Sequence, residues 1–173
     1  MDLAKQYGFK GVSAIGVHRE MITDQNAVSD VRQALTWAKI AGIPVVITDE
    51  GSLPDRMSEK EGLDIIKSRL EKMVEKAEEE KIYLALETHG YFSLTPGGME
   101  ELLSLAPSNW LKVNFDLANP HRGDYVGTNR DGYTWKLNSS KKGDEVAILK
   151  PIVDYVVNMH VKDVYRKKSS HLR

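Results

Sequence analysis

Acidic and imidazole side chains recur where short apolar runs of this sequence end. Three of these runs end in Glu87, Asp116 and His160. Two carboxylates and an imidazole suit Mn²⁺, Mg²⁺, Co²⁺ or Zn²⁺, and they leave coordination positions open for a hydroxyl-rich ligand. If the three side chains converge in the folded chain, they form a divalent metal site.

Further polar residues stand beside these three. Side chains two residues apart on a strand share a face, which puts His89 beside Glu87. The same spacing puts Lys162 beside His160, where an inward-pointing ammonium would hold an anionic or hydroxyl group. We expect four residues to contact a substrate: His18, His89, Asn119 and Lys162.

Each of these residues also has a purely structural interpretation. A single carboxylate at the end of a strand is often a helix N-cap or a solvated loop residue. Asp49 and Glu50, which end another apolar run, are explained equally well as the start of a loop. The combination of Glu87, Asp116 and His160 is harder to dismiss, because three strand ends in a row carry a metal-competent group.

Predicted strands alternate with predicted helices along the chain. Ser29 and Asp30 offer an N-cap to the first long helix, and Ser58 with Glu61 forms a capping-box pattern for the second. Repeated strand–helix units indicate a parallel sheet, and parallel strands bring their carboxyl ends to one edge. The predicted strands span residues 12–17, 43–48, 82–87, 111–116 and 156–161.

Two architectures fit this order of elements, a doubly wound open sheet and a (β/α)8 barrel. No Gly-x-Gly-x-x-Gly follows the first predicted strand, and no P-loop is present. A complete barrel takes ~250 residues, whereas this chain has 173 residues. We therefore expect residues 1–173 to form a single α/β domain, an incomplete (β/α)8 TIM barrel of about five parallel strands that lacks the first and the last strands.

Composition narrows the possible partners. The formal net charge is −1, from 24 basic and 25 acidic residues, which argues against nucleic acid and anionic membranes as partners. The absence of cysteine excludes disulfides, thiolate zinc sites and cysteine nucleophiles. No apolar run approaches the ~20 residues of a membrane span, and the N-terminus lacks a signal-peptide pattern. We expect a cytoplasmic location.

Three segments together resemble a known family. They are Leu84-Ala85-Leu86-Glu87-Thr88-His89, Val113-Asn114-Phe115-Asp116-Leu117-Ala118-Asn119 and Asn158-Met159-His160-Val161-Lys162-Asp163. Their residues, order and spacing resemble the sugar phosphate isomerase/epimerase family of the xylose isomerase-like TIM-barrel superfamily. That superfamily also holds hydroxypyruvate isomerases, ketose 3-epimerases, inosose dehydratases and DNA-repair enzymes of the endonuclease IV type. The resemblance runs from about the second barrel strand to the sixth.

The resemblance implies a site and a reaction in carbohydrate metabolism. Family members hold one divalent metal ion through a Glu, an Asp, a His and a second Glu, which implies Glu87, Asp116 and His160 as ligands here. It also implies Glu87 as the base that moves a proton next to a carbonyl, through a metal-stabilised enediolate of a small sugar or hydroxy-carbonyl substrate. The family's second Glu lies on the eighth strand, so we expect this chain, which stops at Arg173, to be a truncated fragment without it.

Other functions remain open on the sequence alone. The chain is alternatively a catalytically inactive piece of a barrel, or a metal-independent sugar-binding module that uses the aromatic residues between Tyr125 and Trp135. A dehydratase would use the same proton abstraction as an isomerase. An endonuclease would need a richer metal-ligand set than five histidines and a near-neutral charge offer. An incomplete barrel leaves strand edges unpaired, which favours a homo-oligomer or a complementing chain.

Overall fold

Five parallel strands form one sheet, and their order in space is their order in the chain. The computed structural model describes residues 2–120 and 144–162. The strands curl into a half-barrel with helices between them. The strands are β1 (Ile15–Gly16), β2 (Val45–Thr48), β3 (Tyr83–Glu87), β4 (Leu111–Asp116) and β5 (Val156–His160). The helices are α1 (Asp2–Gln6), α2 (Ala27–Ala41), α3 (Glu59–Glu80), α4 (Gly98–Leu105) and α5 (Glu145–Ile152), and a 3₁₀ turn (Val153–Tyr155) links α5 to β5.

This architecture confirms the predicted incomplete barrel, with differences at the ends of some elements. Strand β4 has the predicted bounds, whereas β1 is only two residues long because it pairs with β2 over Ile15 and Gly16 alone. Helix α2 begins at Ala27, ahead of the predicted caps Ser29 and Asp30. Ala27 is fully buried, and the Asp30 carboxylate binds Arg19 at 2.8 Å instead of capping the helix.

Alternation along the central strands separates a helix-facing side from an inner side. On β3, Leu84 and Leu86 belong to the main hydrophobic core with the helices, while Ala85 packs in a smaller inner cluster with Val45 and Ile47. Because side chains alternate along a strand, Glu87 follows Ala85 onto the inner side. This is why a chain with a well-packed core also presents acidic side chains inside the curved sheet.

Two side-chain contacts of α3 fix the helix and the loop beside it. The Ser58 hydroxyl accepts the N–H of Glu61, and the Glu61 carboxylate accepts the N–H of Ser58, which forms the predicted capping box. Further along, the Arg69 guanidinium donates to the carbonyls of Met21 and Asp24. The segment that follows β1 is therefore held against α3. Across the described residues, no helix is long and apolar enough to cross a membrane.

Candidate metal centre and active site

Glu87, Asp116 and His160 are the last residues of three neighbouring strands, β3, β4 and β5. Their strands are parallel, so all three side chains lie at one edge of the sheet. Nδ1 of His160 lies 3.3 Å from Oε1 of Glu87 and 3.5 Å from Oδ2 of Asp116. The candidate ligand atoms of the group all lie within 4.8 Å of one another.

The burial and spacing of these three side chains fit a bound cation. The side chains of Glu87 and Asp116 are 3% and 0% exposed, whereas that of His160 is 37% exposed. Two buried carboxylates this close favour positive charge beside them, from the Lys162 ammonium or from a bound cation. Ligand atoms about 2.1 Å from a tetrahedral ion lie about 3.4 Å apart, close to the two distances from His160. We call Glu87, Asp116 and His160 the strand-end triad.

Each carboxylate of the triad is fixed by hydrogen bonds. Oε2 of Glu87 accepts from Nδ2 of Asn114 at 3.0 Å, and Oε1 accepts from Nδ2 of Asn119 at 3.2 Å. Asn114 is held in turn by Asn158, whose Nδ2 donates to Asn114 Oδ1 at 2.8 Å. The carboxylate of Glu87 therefore has a set orientation before any ligand arrives, which is how outer-shell partners prepare a metal ligand.

The two oxygens of Asp116 have different surroundings. Oδ1 accepts the backbone N–H groups of Ala118 and Asn119 at 2.9 and 3.0 Å, and so holds the turn after β4. Oδ2 faces the site, where it lies near His160 and forms an ion pair with the Lys162 ammonium. One oxygen therefore supports the local fold, and the other is directed at whatever cation the site takes.

Thr88 connects the ends of β3 and β4 by hydrogen bonds. Its buried hydroxyl donates to the carbonyl of Asp116 at 3.2 Å and accepts the N–H of Asp116 at 2.9 Å. These two hydrogen bonds set the position of Asp116 relative to Glu87, the residue before Thr88. The relative placement of the two carboxylates is therefore built into the backbone of the sheet.

A second group of potential ligands lies next to the triad. Oδ2 of Asp49 is 2.5 Å from Nδ1 of His18 and 3.4 Å from Nδ1 of His89. The other ring nitrogen of His18, Nε2, lies 3.7 Å from Oε2 of Glu87, so the two groups are neighbours. Burial pushes the pKa of Asp49 upward, but hydrogen bonds from His18 and His89 outweigh it and lower that pKa to about 2. We call His18, Asp49 and His89 the histidine–aspartate group.

Glu50, next to Asp49, has a different environment and supports a loop. Its Oε1 accepts the backbone N–H groups of Phe92 and Ser93 at 2.9 and 2.8 Å. A Cβ at position 90 would collide with the Glu50 carboxylate, so the loop approaches it only because Gly90 has no side chain. Complete burial raises the pKa of Glu50 to about 7.

The residues expected to contact substrate lie around both groups. His18 and His89 flank Asp49, while Asn119 and Lys162 lie at the triad, with Lys162 Nζ 3.5 Å from Asn119 Oδ1. The aromatic stretch proposed for sugar binding, between Tyr125 and Trp135, lies outside the described residues, as does Asp163.

Three residues that shape the site were not predicted from the sequence: Asn114, Asn158, and Asp49 as a partner of the histidines. Asn114 stands two residues before Asp116, and Asn158 two before His160, so strand alternation would have placed both on the inner side. For Asp49, the available signal was only its position at the end of a predicted strand.

A curled parallel sheet with acidic and imidazole side chains at its carboxyl edge defines this chain as part of a β/α barrel with a candidate metal centre. A family model described as the xylose isomerase-like TIM barrel matches residues 2–173, and the chain belongs to this family. No curated protein matches the sequence.

Solved structures share the fold at low sequence identity. A D-tagatose 3-epimerase-like protein aligns with a TM-score of 0.68 and 21% identity over 94% of this chain and 59% of its own. Mannonate dehydratase from Streptococcus suis serotype 2 aligns with a TM-score of 0.68 and 14% identity, over 92% of this chain and 56% of its own. A xylose isomerase-like TIM barrel protein from Mycobacterium smegmatis in complex with magnesium aligns with a TM-score of 0.65 and 16% identity, over 93% of this chain and 54% of its own. The chain thus spans a little more than half the length of these three structures.

Proposed function

We propose that this chain carries the metal-binding half of a sugar isomerase or epimerase, which moves a proton next to the carbonyl of a small sugar or hydroxy-carbonyl compound. The observation that carries the proposal is the strand-end triad, two buried carboxylates and an imidazole at ligand spacing. The family, the D-tagatose 3-epimerase-like protein and the mannonate dehydratase support the substrate class.

A divalent ion at this site would be held by Glu87, Asp116 and His160. Buried carboxylates favour Mg²⁺ or Mn²⁺, while the imidazole also accommodates Co²⁺ or Zn²⁺. When bound, such an ion supplies a positive charge that polarises a carbonyl oxygen. The magnesium complex of the Mycobacterium smegmatis neighbour supports an ion of this kind.

Glu87 is the proton-transfer residue in this proposal. Its Oε1 lies 3.3 Å from His160 Nδ1, and its Oε2, which also accepts the Asn114 N–H, would receive a proton from the carbon beside the substrate carbonyl. As the C–H bond breaks, its electron pair forms a C=C bond and the carbonyl π electrons move to oxygen. Asn114 and Asn119 keep the carboxylate oriented while it holds the proton.

Lys162 and Asn119 position the substrate in this account. The Lys162 ammonium is half-exposed and lies at the rim of the triad, where it binds Asp116. A substrate hydroxyl or anionic group that approaches the triad would meet this ammonium and the Asn119 amide. Isomerisation or epimerisation is complete when a proton returns to the neighbouring carbon or to the opposite face of the same carbon.

Hydrogen–deuterium exchange tests this proposal with the chain alone. In D₂O with Mg²⁺ or Mn²⁺, the protein should incorporate deuterium beside the carbonyl of at least one small ketose, measured by mass spectrometry. Glu87→Gln should lower the rate at least about 100-fold, the usual contribution of a positioned base. Glu101→Gln, an exposed glutamate of α4, is the matched control and should leave the rate unchanged.

Two results would contradict the proposal. One is the absence of exchange by metal-loaded protein across a panel of ketoses and hydroxy-carbonyl compounds. The other is sugar binding that persists unchanged with a chelator and without any exchange, which would support a metal-independent binding module instead.

A further inference from the structure

We propose that the histidine–aspartate group is a second divalent cation site, with a preference for Zn²⁺ or Co²⁺. It goes beyond the proposed function, because it uses none of the strand-end triad's ligands. His18, Asp49 and His89 each offer one ligand atom, and these atoms all lie within 4.8 Å of one another. Two imidazoles with one carboxylate form the donor set that zinc takes in three-ligand sites.

The spacing within the group supports this assignment. The 3.4 Å between Asp49 Oδ2 and His89 Nδ1 equals the roughly 3.4 Å expected between ligands of a tetrahedral ion. The 2.5 Å between Asp49 Oδ2 and His18 Nδ1 must open by about 1 Å to reach that spacing. The His18 side chain is 44% exposed, so it has room to make this movement, whereas Asp49 is buried and stays in place.

The charge of the group also favours a cation. The Asp49 side chain is only 5% exposed and points its Oδ2 between two imidazoles, each of which presents Nδ1 to it. The neighbouring Glu50 is turned away, because its Oε1 accepts two backbone N–H groups of the loop after β3. A metal ion in the group would therefore meet a single carboxylate and two nitrogen donors.

The second site would act on Glu87 through His18. A metal ion on Nδ1 of His18 leaves the ring proton on Nε2, and Nε2 lies 3.7 Å from Oε2 of Glu87. His18 would then present an N–H to the oxygen that receives the substrate proton in the proposed reaction. His18 is a positioning residue in this arrangement.

Metal stoichiometry tests this inference separately from the proposed function. Apo protein is loaded with Zn²⁺, and bound zinc per chain is counted by mass spectrometry of the metal after gel filtration. The wild type should hold two ions, and Asp116→Asn and Asp49→Asn should each hold one. Asp64→Asn, an exposed aspartate of α3, is the control and should hold two. Mg²⁺, which avoids imidazole-rich sites, should occupy only the site that Asp116→Asn removes.

The Asp116→Asn protein tests the second cation site independently of the strand-end triad. Its fold should persist, because Asn keeps an oxygen in place of Oδ1 for the N–H groups of Ala118 and Asn119. In that background, Zn²⁺ should shift the ring ¹⁵N resonances of His18 and His89 in NMR spectra. Two results would overturn the second site, whether or not the triad binds zinc. One is that the His18 and His89 resonances do not shift, and the other is that Asp49→Asn and His89→Gln bind as much zinc per chain as the wild type. An unchanged count in Asp116→Asn with a reduced count in Asp49→Asn would instead contradict the triad and support the second site.

Discussion

Two adjacent acids, Asp49 and Glu50, show how the surroundings of a residue decide what it does. The hydrogen bonds from His18 and His89 keep Asp49 ionised, with a pKa of about 2. No charged donor among the described residues contacts Glu50, which accepts two neutral N–H groups, so burial dominates and its pKa rises to about 7. The first residue is available to a cation, and the second is a buried acid that supports the loop after β3.

Glu50 should make the protein less stable as the pH rises. Below pH 4.5 the group is protonated in both states, and between pH 4.5 and about 7 the unfolded chain alone releases the proton. The free energy of unfolding should fall by on the order of 3 kcal/mol across this window and then level off. Glu50→Gln should remove this component, because Gln keeps an acceptor oxygen and has no proton to release.

The measurement is urea denaturation of both proteins from pH 4.5 to about 8. Asp49 stays ionised throughout this range, and all histidines are common to both proteins, so the difference between the two curves isolates Glu50. A constant difference across the range would show that folding does not raise the pKa of the Glu50 carboxyl.

At the scale of secondary structure, most of the fold was predictable, and the exceptions have local causes. The run at 111–116 predicted β4 with its observed bounds, because Leu111, Val113 and Phe115 alternate with polar residues up to Asp116. The start of α2 was predicted too late because Asp30, a good N-cap by type, is engaged by Arg19. A contact between residues 11 positions apart in sequence leaves no periodic signal in a single chain.

The capping box of α3 should contribute measurably to stability. Ser58→Ala removes the oxygen that accepts the Glu61 N–H and should lower the free energy of unfolding by about 1 kcal/mol. Ser68→Ala is the matched control, because Ser68 is exposed in the interior of the same helix and Ala has the higher helix propensity. Denaturant midpoints that shift equally in both variants would show that the box adds nothing beyond propensity.

At the scale of the whole molecule, the candidate site depends on long-range placement. Glu87 and His160 lie 73 residues apart in sequence, yet Oε1 and Nδ1 come within 3.3 Å. Residue types and predicted strand ends indicated that Glu87 and His160 lie close together, since the carboxyl ends of parallel strands lie at one edge of the sheet. The pairing of Asp49 with two histidines was beyond prediction, because it depends on the directions of side chains after three different strands.

Exposed apolar side chains on β5 predict self-association. Val157 and Met159, two residues apart on one face of this strand, are 36% and 43% exposed. Adjacent exposed apolar side chains favour contact with another protein surface. Light scattering after gel filtration should show a mass that rises with concentration, and the double variant Val157→Lys, Met159→Lys should shift it toward the monomer.

Ile40→Lys is the control for that experiment. Ile40 is an 80% exposed aliphatic residue of α2, on an element that packs against α3 and β2. If Ile40→Lys disperses the protein as well as the double variant does, general surface hydrophobicity explains the association and the exposed side chains of β5 do not.

The most direct test of the whole account is a calorimetric titration of Mn²⁺ into the wild type, Asp116→Ala and His160→Ala. The triad predicts that each substitution weakens binding by more than the roughly 10- to 100-fold that loss of an outer-shell partner costs. Asp154→Ala, which changes an exposed aspartate before β5, should bind as the wild type does. Equal Mn²⁺ affinity in all four proteins would contradict a metal centre at Glu87, Asp116 and His160.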